Sequence, residues 1–324
     1  LAQCCELTYL QYDMATPPDL SSLTLTGVTL APGTPQLLTV SEANGPESSP
    51  NFPGSYTTQS VGFVVAISQT GVNPKSSLPA QFIVVALRGT QTWDEWVDDA
   101  EAFPVFYGNT AGLVHSGIYD LYIDGTDGAT VSNPLGPTPA DRAAGSIAAQ
   151  IATILTNGSL PKNLPIYVTG HSLGAALAAL CGLDIALNFS SAVPPPATSN
   201  ISVYTLACPR LVMGLQVEGS PLAPTGTFLN QYQTSLPNTF QIVHACDIIP
   251  ILPGTTVISN SLLAINAAQV TDAYTYLGQS YPGLPNVVSF CAQQGDIGNN
   301  HACAVSYLPY VTWLAAAWLA AQGS

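Results

Sequence analysis

Gly170-His171-Ser172-Leu173-Gly174 forms the pattern G-x-S-x-G. A serine hydroxyl becomes a useful nucleophile only when a base takes its proton and fixed donors hold the oxyanion it creates. The flanking sequence supplies a setting for that chemistry. Ile166-Tyr167-Val168-Thr169 is a β-branched and aromatic run, which reads as a strand. The Ala- and Leu-rich run 173–188 reads as a helix. A serine on the sharp turn between them takes a strained backbone conformation. Its neighbours two residues either side then come so close that neither can carry a side chain. Gly170 and Gly174 meet that demand, and Ala175 and Ala176 keep the helix start uncrowded. The helix N-terminus favours negative charge developing beside Ser172. The competing reading is a glycine-containing turn with a surface serine, and the strand and small-residue helix weigh against it.

This strand-turn-helix serine resembles the nucleophile turn of α/β-hydrolases, a resemblance that implies partners following in the order serine, acid, histidine. The histidines stand at 115, 171, 244 and 301, and only His244 and His301 follow Ser172. Between Ser172 and His244 the acids are Asp184 and Glu218. Asp184 falls within the helix after the serine and points away from it. Glu218 lies in a loop-like stretch with no strand end nearby. His301, in the loop-like run Gly298-Asn299-Asn300-His301, is therefore the expected base. Asp247 directly follows the run Phe240 to Cys246, just past a strand end, and is the expected acid, ahead of Asp272 and Asp296 in loop- or helix-like sequence. His244 then reads as a strand-core histidine. The backbone N–H of Leu173 is one expected oxyanion donor. Thr90, in Leu87-Arg88-Gly89-Thr90 after the strand 81–87, is the other.

These residues need a scaffold. Strands are expected at 61–68, 81–87, 166–169, 201–207 and 240–245, with helices at 1–13, 140–156 and 173–188. Strands alternating with helices point to an α/β sheet, largely parallel in its second half. Residues 15–60 are rich in Pro, Ser, Thr and Gly and read as surface loops with short helices. No linker or internal repeat interrupts the chain, so residues 1–324 are expected to form one domain. The apolar run 302–321 contains Pro309 and reads as a kinked, buried terminal helix rather than a membrane span.

Composition narrows the function. Hydrophobic residues make up 47% of the chain, ample for a sizeable core, while charged residues are only 7%. The formal net charge is −14 with five basic residues and no Lys/Arg cluster. Nucleic acid therefore has no basic surface to bind, and an anionic membrane would repel the chain. No Cys/His spacing suits a metal, and no cofactor is implied. Cys181, Cys208 and Cys246 sit in apolar runs and read as core residues or free thiols. Cys4, Cys5, Cys291 and Cys303 lie near chain ends or in loop-like sequence, where a disulfide is plausible. Uncharged polar residues, the cysteines, the start at Leu1 and the sequons at Asn157, Asn188 and Asn200 together suggest a secreted, glycosylated protein whose signal peptide has been removed.

Taken in order, several segments resemble the class 3 lipase family of secreted fungal lipases. They are Val85-Ala86-Leu87-Arg88-Gly89-Thr90 with Trp96 after it, Val114-His115-Ser116-Gly117, Val168 to Gly174, Tyr204 to Arg210, Val243 to Pro250, and His301. The resemblance runs from about residue 60 to the C-terminus. It implies an α/β-hydrolase fold, a central mostly parallel sheet flanked by helices, with a short lid helix. It also implies Ser172, Asp247 and His301 as a triad, and Thr90 and Leu173 as the oxyanion hole. The stretches 15–60 and 189–240 and the N-terminal cysteines depart from the family pattern.

The family places its lid at 92–103. There Trp93, Trp96, Val97 and Ala100 fall on one apolar helix face, and Thr92 with Glu95 makes a capping box. Asp94/Asp98 and Glu95/Asp99 are like-charge pairs costing ~0.2–0.5 kcal/mol each, so this helix depends on its apolar face being held. The expected function is hydrolysis of acylglycerol esters at a lipid–water interface, without a stable membrane anchor. Two alternatives stay open: an esterase for soluble or aromatic (feruloyl-type) esters, and an inactive binding protein on the same fold.

Overall fold

The computed structural model describes residues 1–9, 28–31, 35–44, 55–69, 81–89, 104–107, 113–123, 143–189, 197–213, 226–251, 274–275, 287–291 and 297–322. The strands are β1 (Val28–Leu30), β2 (Gln36–Asn44), β3 (Ser55–Gln69), β4 (Gln81–Leu87), β5 (Pro104–Phe106), β6 (Leu113–His115), β7 (Ile166–His171), β8 (Ile201–Leu206), β9 (Val212–Met213), β10 (Thr239–His244), β11 (Tyr274–Thr275) and β12 (Val287–Phe290). The helices are α1 (Ala2–Tyr9), α2 (Ser116–Ile123), α3 (Ile147–Thr156), α4 (Leu173–Asn188), α5 (Ala197–Asn200), α6 (Gly226–Ser235), α7 (Ile297–His301) and α8 (Leu308–Gln322), with a π-helical turn at Cys303–Tyr307 between the last two.

Among the described residues the main sheet runs β1-β3-β4-β7-β8-β10-β12, with β2 also paired to β3. Its first strands pair antiparallel. From β4 onward every pairing is parallel. A second small sheet, β11-β9-β6-β5, is antiparallel. Parallel strands need crossovers on both faces, which buries both faces of the sheet. β3 and β4 show this by alternation. Val64, Ala66, Ile83, Val85 and Leu87 join the large core beneath α2, α3 and α4. Phe63, Val65, Ile67, Val84 and Ala86 join a second core that includes Cys4 of α1. This is the α/β-hydrolase arrangement, a mostly parallel sheet flanked by helices.

The parallel register brings strand C-termini to one edge. Leu87 lies opposite Gly170, His171 opposite Leu206, and His244 opposite Phe290. Ligand sites of open α/β sheets form at such edges, where loops leave the strands toward their helices.

The five expected strands and the helix at 173–188 are present, with ends shifted by a few residues. The helix expected from 140 starts at Ile147, because Ser146 caps it by accepting from the Ala149 N–H. The stretch 15–60, expected as loops with short helices, instead contributes β1, β2 and the start of β3. Its Pro, Ser and Thr content conceals the alternation of an antiparallel edge. The terminal segment also departs from expectation. Pro309 stands at the second position of α8 and starts it rather than kinking it. Trp313 is 62% exposed, so α8 is not buried as expected.

Gly170 and Gly174 face each other across the β7–α4 turn. A Cβ on Gly170 would collide with the Gly174 carbonyl, and one on Gly174 with the Leu87 carbonyl. Backbone cannot yield as a flexible side chain can. Gly170→Ala is therefore expected to destabilise the protein by roughly 3 kcal/mol or more. Urea unfolding followed by circular dichroism measures it, and a loss below ~0.5 kcal/mol would contradict the packing described.

Candidate active site

Ser172 follows the last residue of β7 and stands at the N-cap of α4 with φ 59° and ψ −131°, a left-handed conformation rare for a residue with a side chain. Such strain persists only where the surroundings over-determine it. The Ser172 N–H donates to the Leu206 carbonyl at 3.0 Å, and its own carbonyl accepts from the Ala175 N–H at 2.9 Å. Leu173 to Ile185 are all buried, so α4 is locked beneath the sheet. Leu173 is the first residue of α4, and its N–H therefore has no carbonyl partner within the helix.

His301 meets this serine from the far end of the chain. Its Nε2 lies 2.9 Å from Ser172 Oγ, and its Nδ1 lies 2.8 Å from Asp247 Oδ2. The carboxylate accepts the Nδ1 proton, which leaves the Nε2 lone pair to accept from the serine hydroxyl. Asp247 is buried beyond the end of β10, where its Oδ1 accepts from the Ile249 N–H at 2.9 Å. His301 closes the short helix α7, where a loop position was expected.

Sequence order did not reveal Tyr307. Its hydroxyl donates to Asp247 Oδ2 at 2.6 Å and accepts from the His244 N–H at 3.1 Å. Burial, and then the Asp247 charge, pushes this phenol far above its ordinary pKa, so it stays a donor. The expected strand-core His244 is fully buried, with its ring tilted against Phe290 at a centroid distance of 4.7 Å.

His171, the variable residue before the serine, is equally placed by contacts. Its Nε2 lies 2.7 Å from the His301 carbonyl, and its Nδ1 lies 2.7 Å from the Tyr9 hydroxyl. A carbonyl only accepts, so Nε2 carries the proton and Nδ1 accepts from Tyr9. Helix α1 thereby braces the backbone of His301 through one neutral imidazole. Gly89 completes this wall. A Cβ there would lie 2.6 Å from the His171 carbonyl, 2.7 Å from the Tyr9 hydroxyl and 2.9 Å from Ser172 Cβ. The Leu87-Arg88-Gly89 turn thus runs directly against the serine.

The expected oxyanion donor Thr90 follows that turn but lies outside the described residues, as do the lid residues Trp93, Trp96 and Val97 and the competing acids Asp272 and Asp296. Asp184 is buried on α4, where it accepts from Tyr122 at 2.8 Å and Asn188 at 2.7 Å. It is a core carboxylate remote from Ser172 in role. Cys181 and Cys208 are buried as expected, but other cysteines differ from expectation. Cys4, Cys5 and Cys303 are buried rather than in open loops, and Cys246 is partly exposed rather than a core residue.

Burial holds His171 well below its ordinary pKa, and the nearby His301 adds to this. Burial alone lowers His115 to about 4. Both stay neutral in the folded protein where an unfolded chain binds protons below about pH 6.5. Their contribution is therefore whole above that pH and is lost as pH falls toward the folded values. Between about pH 6.5 and 5.5 stability is expected to fall, approaching roughly 1.4 kcal/mol per pH unit for each imidazole at the acid side. Urea unfolding across this window measures the slope, and a flat profile would contradict it.

Comparison with known proteins places this chain in a family. A family model described as lipase (class 3) matches residues 84–257, more than half of the chain. A lipase of Rhizomucor miehei is 30% identical over 173 residues, covering 53% of this chain and 37% of the relative. Phospholipase A1-II 3 of Oryza sativa subsp. japonica is 32% identical over 160 residues, covering 45% of this chain and 35% of the relative. The chain thus spans less than half the length of each. Among solved structures, the Rhizomucor miehei triacylglyceride lipase aligns at 27% identity with a TM-score of 0.36, covering 59% of this chain and 56% of that one. Lip2 lipase of Yarrowia lipolytica aligns at 16% identity with a TM-score of 0.42, covering 84% and 81%. The matched segment runs from β4 through Ser172 and past Asp247, and on that match the chain belongs to the class 3 lipase family.

Proposed function

We propose that this protein is a secreted serine hydrolase that cleaves acylglycerol esters at a lipid–water interface. The observation that carries the reading is the hydrogen-bonded line Ser172–His301–Asp247 in a class 3 lipase chain. His301 Nε2 takes the Ser172 proton as Oγ attacks the ester carbonyl carbon. Asp247 holds the Nδ1–H tautomer and stabilises the imidazolium. The Leu173 and Thr90 N–H groups hold the oxyanion. Collapse breaks the ester C–O bond, and His301 returns its proton to the departing alcohol. Water then repeats the sequence on the acyl-serine and releases the carboxylic acid. Residues 92–103, with Trp93, Trp96 and Val97 on their apolar face, serve as a lid that exposes this face to lipid.

Initial rate against tributyrin concentration, carried through the solubility limit, tests this reading. A steep rise past the limit is expected, with Ser172→Ala lowering the rate on the order of 10⁴-fold or more. A curve that saturates below the limit would replace the lipase by an open-site esterase. Activity retained by Ser172→Ala would remove the mechanism.

Tyr307→Phe keeps the ring and removes the donor to Asp247. It is expected to lower kcat on the order of tenfold with KM little changed, since a hydrogen bond to a charged group contributes about 1.5–3 kcal/mol. Equal kcat in parent and variant would show that Tyr307 only packs.

A further inference from the structure

The seven cysteines divide sharply by environment. Cys4, Cys5, Cys181, Cys208 and Cys303 are buried. Burial pushes the Cys5 and Cys208 thiols up to about 12 and keeps both away from an oxidant in solution. Cys246 is partly exposed and Cys291 is exposed, and both are open to an oxidant in solution. These two are also neighbours. Cys246 Sγ lies 3.4 Å from Cys291 Sγ, although 45 positions separate them in the chain.

The sheet holds them there. β10 and β12 pair in parallel through His244↔Phe290. The Ala245 N–H extends that ladder by donating to the Phe290 carbonyl at 2.7 Å. Cys246 and Cys291 are the next residues beyond this bond, so the ladder holds the two chain segments close together. A disulfide requires the sulfurs to approach by only about 1.4 Å, within reach of small side-chain rotations.

We propose that Cys246 and Cys291 are a disulfide site that clamps the turn carrying Asp247. A soluble disulfide such as oxidised glutathione is the oxidant. One cysteine, as thiolate, attacks it to form a mixed disulfide and release one glutathione thiolate. The second cysteine then attacks the protein sulfur, forms the Cys246–Cys291 bond and releases the other. Two thiols are oxidised, one glutathione disulfide is reduced to two thiols, and the two protein protons pass to the departing thiolates. The bond ties Asp247, one residue from Cys246, to the end of β12. It also closes the long connection between β10 and β12, which limits the unfolded chain.

The experiment equilibrates the intact chain with oxidised glutathione, alkylates the remaining thiols and digests without reduction. Mass spectrometry is expected to find a Cys246–Cys291 cross-linked peptide two hydrogens lighter than its parts, with the other five cysteines alkylated after denaturation. Reduction by dithiothreitol is expected to lower Tm by on the order of 5 °C. Cys291→Ser is expected to fold with the Tm of the reduced parent and to show no response to either reagent. Recovery of Cys246 and Cys291 singly alkylated, or paired with other cysteines, overturns the proposal. So does a Cys291→Ser variant that keeps the parent's response.

Discussion

The left-handed backbone at Ser172 is the constraint on which the site depends. A single residue at φ 59° costs on the order of 1–3 kcal/mol and would relax if its flanks were loose. They are not loose. β7 is hydrogen-bonded between β4 and β8, and α4 is buried along most of its length. Gly170 and Gly174 let strand and helix approach until their backbones touch. The core that stabilises the fold thus also holds one hydroxyl at the sheet edge, at the head of a helix. Site and scaffold share the same packing.

Two braces then fix the imidazole opposite that hydroxyl. On one side Asp247 receives His301 Nδ1–H, Tyr307 O–H and the Ile249 N–H. A carboxylate with these partners has little freedom to rotate, and His301 inherits that rigidity. On the other side neutral His171 links the His301 carbonyl to Tyr9 of α1. The first helix and the last part of the chain therefore meet at the same imidazole. Charging His171 would place a buried cation beside His301 and remove the acceptor for Tyr9.

Much of this was legible in the sequence, for identifiable reasons. Gly170 and Gly174 mark a close approach that only glycine allows, and the β-branched run before them marks the strand. The order of acids and histidines after Ser172 left few candidates, and the three side chains so chosen meet in the structure. What the sequence concealed is tertiary. Tyr307 and Asp247 are 60 positions apart, and Tyr9 and His171 are 162 apart, so no local pattern signals either contact. The closeness of Cys246 to Cys291 was hidden because Cys246 stands in an apolar run, although it lies just past the strand at a partly exposed turn. The strands within 28–60 were hidden by Pro, Ser and Thr between short alternating stretches. Apolar content in α8 suggested burial, but hydrophobicity without periodicity does not say which face finds a partner.

The central claim is that His301 and Asp247 activate Ser172 for attack on a carbonyl. Covalent labelling tests it most directly, because only an activated serine reacts rapidly with a fluorophosphonate and the result does not depend on guessing the natural ester. Intact-mass and peptide mass spectrometry after brief exposure should show one phosphonyl group, located on Ser172 and absent from the Ser172→Ala and His301→Ala variants. An unlabelled protein, or a label that persists in His301→Ala at the parent's rate, would contradict the account.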